Sequence, residues 1–182
     1  MATLFYLFLN ASTFATEEKL FVFFQVLMIT ACIPLLFFLI LRALGKIDSI
    51  MIAELSQRKL PLILQCFLII FLVRKIITID RYPELHFFFL GALLTTILAL
   101  LFLFTNIKAS LHMMAISGLT VFVIALSLHF QLQNTFVIAF LILINGFVAS
   151  SRIEMKAHTT KELIIGFFLG SFPQLLILFL WL

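Results

Sequence analysis

Six runs of predominantly apolar residues follow one another in this chain with only short polar connections, and no other feature limits its fold so severely. They extend over roughly Leu20 to Leu44, Leu60 to Ile79, Leu85 to Thr105, Ala109 to Leu128, Thr135 to Ser150 and Lys161 to Leu182. A helix crosses the bilayer core with about 20 apolar residues. In hydrocarbon every backbone donor and acceptor must be satisfied internally, which leaves runs of this length no alternative to the helix. A water-soluble reading fails on supply: of 182 residues, 64% are hydrophobic, 11% are charged and 24 are Phe, too little polar surface to enclose a core. The expected fold class is all-α, a polytopic transmembrane bundle of six core helices.

A seventh run, Ala2 to Thr16, is shorter and carries Asn10, Ser12 and Thr13. It is expected either to cross a thinned bilayer, to re-enter, or to lie at the interface. No basic stretch precedes it and no small-residue cleavage pattern follows, so it is expected to stay in the mature chain. The connections lack Gly/Ser linkers and repeats, which makes residues 1–182 a single domain, with 1–16 as the N-terminal segment and 20–182 as the six-helix core. Cys32 and Cys66 sit inside apolar runs with no partner pattern and read as small core residues.

Loops separated by an even number of spans open on the same side. The loops GKIDSIMIAELSQRK, TNIK and SRIEMKAHTT therefore share one face, which collects Arg42, Lys46, Arg58, Lys59, Lys108, Arg152, Lys156 and Lys161. The other face holds Lys19, Arg74, Lys75 and Arg81. Positive-inside counting puts the three loops in the cytoplasm. If Arg58, Lys59, Lys108 and Arg152 serve chemistry instead, the two faces tie at four cations each, and the orientation stays open.

On the basic face, a helix start near His158 or Thr159, capped by Thr159 or Thr160, sets His158 and Glu162 four residues apart on one helix face. A carboxylate bonded to one imidazole nitrogen leaves the other basic and aimed, the arrangement of a nucleophile. Arg152 brings a planar fork of donors suited to phosphate or carboxylate. His112, about one turn into the apolar run after TNIK, is costly at that depth unless it has a partner or a task. One reading is a general acid facing His158, with Lys108 and Ser110 beside the same ligand; the other is a histidine bonded to a neighbouring carbonyl. Arg58 and Lys59 precede a helix whose first turn accepts Pro61, and either one also reads as an ordinary flanking charge. Gln25, Gln65, Asn145 and Gln174 read as interhelical hydrogen-bond partners, Gly166 and Gly170 as a close-packing pair, and His86 and His129 as interfacial on the opposite face.

These segments carry a resemblance. S-R-x-x-x-x-x-H-x-x-x-E, Ser151 to Glu162, resembles the third signature of the type 2 phosphatidic acid phosphatase superfamily, whose usual form ends in Asp. S-L-H, Ser110 to His112, resembles the second signature, P-S-G-H, with Ala109 and Leu111 in place of Pro and Gly. Q-R-K-L-P, Gln57 to Pro61, resembles a degenerate first signature that lacks its leading Lys, for which Lys46 is a distant substitute.

The resemblance implies a six-helix membrane lipid phosphatase of bacterial inner-membrane type, working without a metal or other cofactor. It implies that His158 attacks phosphorus and becomes a phosphohistidine, that Glu162 orients it and that His112 protonates the leaving oxygen. Arg152, Lys108, Arg58, Lys59, Ser110 and Ser151 would hold the phosphate. The implied partners are a lipid phosphate substrate and membrane lipids, with no nucleic acid. The alternative is a catalytically inactive lipid-phosphate binding or transport protein using the same cations, and a third reading is a structural subunit of a larger membrane complex.

Overall fold

The computed structural model describes residues 1–9, 14–46, 55–105 and 107–182. Every regular element among them is helical: α1 (Ala2–Leu9), α2 (Thr16–Leu27), a π-helical turn (Met28–Cys32), α3 (Ile33–Ala43), α4 (Leu55–Lys75), α5 (Pro83–Phe104), α6 (Leu111–His129), α7 (Thr135–Glu154) and α8 (Thr160–Leu178). Among the described residues five stretches are long and apolar enough to cross a membrane, and α2, the π turn and α3 form the first of them as one helix, Thr16–Ala43. The chain is a transmembrane helical bundle. Asn10, Ser12, Thr13 and the loop residues 47–54 lie outside the described residues.

Two expectations need correction. α4 was to begin near Leu60 with Pro61 in its first turn, yet it is already helical at Leu55, and Pro61 lies inside it. Arg58, Lys59, Arg74 and Lys75 are then part of the helix, and its uncharged stretch is Leu60 to Val73. α6 begins at Leu111 after the N-cap Ser110, so His112 stands in the first turn and not one turn deeper.

The π turn has a local cause. Pro34 has no N–H to give the Thr30 carbonyl, and its ring would crowd that carbonyl in a regular helix. The chain widens instead: the Ile33 amide reaches back to the Met28 carbonyl, and the Thr30 hydroxyl donates to the Val26 carbonyl at 2.7 Å.

α6 is the most buried span and packs most closely on α8. In lipid, close packing and hydrogen bonds hold helices together where burial of apolar surface cannot, since the tails are as apolar as leucine. The α6–α8 seam is made of small residues accordingly. A Cβ on Gly170 would collide with the Met114 carbonyl and the Ser117 hydroxyl, and one on Gly166 would come within 2.8 Å of the Ser110 carbonyl. Ser117 donates across the seam to the Phe167 carbonyl at 3.1 Å. Asn145 of α7 donates to Thr120 of α6 at 2.7 Å, and Gln174 of α8 to the Phe88 carbonyl of α5 at 3.1 Å. Large side chains left outside, among them Phe136, Phe140, Phe147 and Phe168, face the bilayer. Cys32 and Cys66 are free thiols, both half-buried.

Candidate active site

The first turns of α4, the α5–α6 connection and the α7–α8 connection are joined at one end of the bundle by bonds that all end on backbone carbonyls. The Ser110 amide, at the start of α6, donates to the Glu162 carbonyl in the first turn of α8 at 3.3 Å. Arg58 of α4, buried, donates from Nη1 to the Ala109 carbonyl at 3.4 Å, and Lys108 Nζ donates to the Ala157 carbonyl at 2.9 Å.

The turn that presents His158 is built by the end of α7. Lys156 adopts a left-handed conformation, φ 51°, unusual for a residue with a side chain. Its amide donates to the Ile153 carbonyl at 2.9 Å and the Ala157 amide to the Arg152 carbonyl at 3.1 Å, the paired bonds that close a helix C-terminus. Two residues later Thr159 caps α8, its hydroxyl accepting from the Glu162 amide at 3.4 Å. At the third position of a helix a Glu commonly turns back to the capping residue's own amide. Here Glu162 bonds His158 instead, Oε2 to Nδ1 at 2.7 Å. With the Nδ1 proton donated to the carboxylate, the lone pair of Nε2 is the one left to react.

The His158 side chain is only 6% exposed. Burial holds this imidazole below the usual histidine range; the bond to Glu162 opposes that effect, while Lys108 and Arg58 add to it. The ring is thus neutral at neutral pH, the state a nucleophile needs. Beside it lies a cavity of about 320 Å³ lined by Lys108, Ile153, Lys156, Ala157, His158, Thr159 and Glu162. Arg152 is half-buried, and its Nε is buried without a hydrogen-bond partner among the described residues. Lys108, Lys156 and the α8 N-terminus make the cavity beside His158 a recess suited to an oxyanion.

The other expected residues are placed as follows. His112 is exposed, senses Arg152, His158 and Arg58 electrostatically, and lines a separate apolar cavity with Thr3, Phe23 and Val148. Lys59 turns away and lays its ammonium over the Phe104 ring, 5.2 Å from the centroid. Ser110 is fully buried as the cap of α6, accepting from the Met113 amide at 3.4 Å. Ser151 is exposed, with Oγ 3.8 Å from the Met155 sulfur. The structure therefore gathers His158, Glu162, Lys108, Arg58 and Arg152, sets His112 at their margin, and leaves Lys59 and Ser151 outside. Sequence reasoning missed Lys156 as a lining residue, and its only signal was a helix end without glycine. Among the described residues no three His, Cys, Asp or Glu side chains gather as a metal site requires.

Comparison with family models, with curated proteins and with solved structures returns no match for this chain.

Proposed function

We propose that the chain is a membrane lipid phosphatase of the bacterial cytoplasmic membrane, hydrolysing a phosphate ester or diphosphate of a lipid through a phosphohistidine. The observation that carries this reading is the nearly buried His158, bonded through Nδ1 to Glu162 at 2.7 Å, with Lys108 and Arg58 as its cationic neighbours. The resemblance of Ser151 to Glu162 to a phosphatase signature supports it, as does the cavity that Lys108 and Lys156 line beside the ring.

The chemistry follows from these groups. His158 Nε2 attacks phosphorus; the P–N bond forms as the P–O bond to the lipid breaks, and the leaving oxygen takes a proton from His112. Water then attacks the phosphohistidine, returns a proton to His112 and frees inorganic phosphate and His158. Positioning and neutralisation of the phosphate oxygens supply most of the acceleration in phosphoryl transfer, and Arg152, Arg58 and Lys108 perform both. Purified protein in detergent is expected to release phosphate from a lipid phosphate in the presence of EDTA, and His158→Ala is expected to fall to background. Full turnover by His158→Ala would reject the assignment.

One observation favours a second reading. His112 opens into the apolar cavity and not into the one beside His158, so the cations would serve equally in a lipid-phosphate binder or carrier without turnover. Vanadate, which takes up the five-coordinate geometry of phosphorus in transfer, separates the two: tight binding relative to sulfate supports hydrolysis, and equal binding supports the carrier.

A further inference from the structure

The ends of α3, α6 and α7 close by the same pair of backbone bonds. After α3 the Gly45 amide donates to the Arg42 carbonyl at 3.0 Å and the Lys46 amide to the Leu41 carbonyl at 2.9 Å. After α6 the Gln131 amide donates to the Leu128 carbonyl at 3.3 Å and the Leu132 amide to the Ser127 carbonyl at 2.9 Å, and the Lys156 and Ala157 amides repeat the pattern after α7. This closure drives the residue beyond the cap into the left-handed region, with φ 68° at Gly45, 52° at Gln131 and 51° at Lys156. Glycine enters that region without steric cost, whereas a side chain brings its Cβ against a carbonyl oxygen. Two of these three ends therefore carry a residue that the backbone disfavours.

Their surroundings differ. Gln131 stands exposed at the end away from His158. Lys156 lines the recess of about 320 Å³ beside His158, together with Lys108, Thr159 and Glu162. The other ionic groups on that wall are already engaged: Lys108 Nζ donates to the Ala157 carbonyl at 2.9 Å, and Glu162 is bonded to His158 at 2.7 Å. The Lys156 ammonium makes no hydrogen bond or ion pair among the described residues. A compact charge with three donors on a flexible four-carbon stem, uncommitted at the rim of a recess, is equipped to close over an anion that enters it.

We infer that Lys156 is a further phosphate-binding residue, held in a backbone conformation that suits glycine because its ammonium completes the anion recess beside His158. It falls on an unspecified position between Arg152 and His158 of the stretch that carries the phosphatase resemblance, so the resemblance gives it no role. The inference rests on the phosphate reading of the site and adds a residue to it. It also separates stability from binding at one position, since the residue best for the turn is not the residue best for the anion.

The test uses inorganic phosphate as the probe, titrated into the full chain in detergent and followed by ³¹P NMR, beside a thermal melt of each variant. Lys156→Gly is expected to raise the melting temperature by about 2–4 °C as the strain is relieved. The same variant should weaken phosphate binding about tenfold, the usual size of one lost charge-assisted hydrogen bond. Lys156→Met keeps the strain and loses the charge, so it should weaken phosphate equally without the thermal gain, and Lys156→Arg should keep most of the affinity. Gln131→Gly should give a comparable thermal gain with phosphate binding unchanged. Lys161→Met removes an exposed charge outside the recess and should also leave phosphate binding unchanged. Wild-type affinity in both Lys156→Gly and Lys156→Met, an equal loss in Lys161→Met, a fall in melting temperature in Lys156→Gly, or no saturable phosphate binding by the wild type would overturn the inference. Hydrolysis is read separately, with a lipid phosphate: binding that depends on Lys156 without turnover refutes the phosphatase and keeps this role, while turnover with phosphate binding indifferent to Lys156 does the reverse.

Discussion

The two ends of the bundle are both ionic, yet they handle charge in opposite ways. At the end away from His158, Glu18 accepts two bonds from the Arg81 Nη2 and one from its Nε, at 2.7 to 2.9 Å, and a further one from the Tyr82 hydroxyl at 2.7 Å. Buried Glu84 accepts from the Tyr6 hydroxyl at 2.9 Å and lies 3.5 Å from His129 Nε2, which ties α1 to α5 and α6. His86 bonds the Ile77 carbonyl at 2.6 Å. By helix count that end has four acids, Glu17, Glu18, Asp80 and Glu84, against four cations. The site end has eight cations against Asp48, Glu54, Glu154 and Glu162, so the whole formal charge of +4 belongs to it. One end pairs its charges internally and fastens helices; the other keeps a surplus, with a buried guanidinium nitrogen still unmatched. Surplus charge beside a nearly buried imidazole is what an anionic ligand would complete.

The contrast is tested most severely by loss of function. His158→Ala should remove phosphate release entirely, whereas Glu84→Gln, at the other buried carboxylate, should leave it intact; equal losses in a phosphate-release assay would erase the distinction between the ends. Next in size, Glu162→Gln should slow turnover about 10²-fold or more, because the ring loses the carboxylate that holds its tautomer and direction. It should also shift the pH profile. Protonation of His158 abolishes attack, so the acid limb of kcat/KM follows its pKa, which lies below the usual histidine range. Glu162 raises that pKa and Lys108 lowers it, so the limb should move to lower pH in Glu162→Gln and to higher pH in Lys108→Ala. Movement in the same direction for both would mean that another group sets the profile.

Smaller effects concern stability alone. Glu84→Gln should lower thermal stability in detergent by about 1 kcal/mol, the usual size of an interhelical polar contact in lipid. Arg81→Ala should lower thermal stability by no more than about 1 kcal/mol and leave turnover unchanged, since its bidentate pair with Glu18 joins an exposed arginine to a half-buried carboxylate far from His158. A large loss in Arg81→Ala would show that the paired end takes part in function.

What could be read in advance followed from short-range regularities. Apolar run length gave the helices, the spacing of four gave the His158–Glu162 bond, and Thr159 or Thr160 before an apolar run narrowed the α8 cap, which falls on Thr159. Parity of the spans put Arg58, Lys108 and His158 on one face, where Arg58 and Lys108 are electrostatic neighbours of the ring. Tertiary choices were not legible. Lys59 and Arg58 are adjacent and chemically alike in sequence, and only the rotation of α4 sends one to the Ala109 carbonyl and the other over Phe104. His129 stays exposed at the end of α6 as expected, and only the tertiary packing shows that it lies beside Glu84 and Trp181, its ring 5.5 Å from the indole. The π turn was foreshadowed by Pro34 alone.

The bond from the Ser110 amide to the Glu162 carbonyl has a consequence for how the site can change over time. Main-chain atoms make it, so this part of the registration of the segments bearing His112 and His158 does not depend on the identity of Arg152 or Lys156, whereas the Lys108 bond to the Ala157 carbonyl does depend on that side chain. Arg152 and Lys156 can therefore be exchanged, changing the charge around the site, while the main-chain bond that holds the two imidazole-bearing segments stays in place.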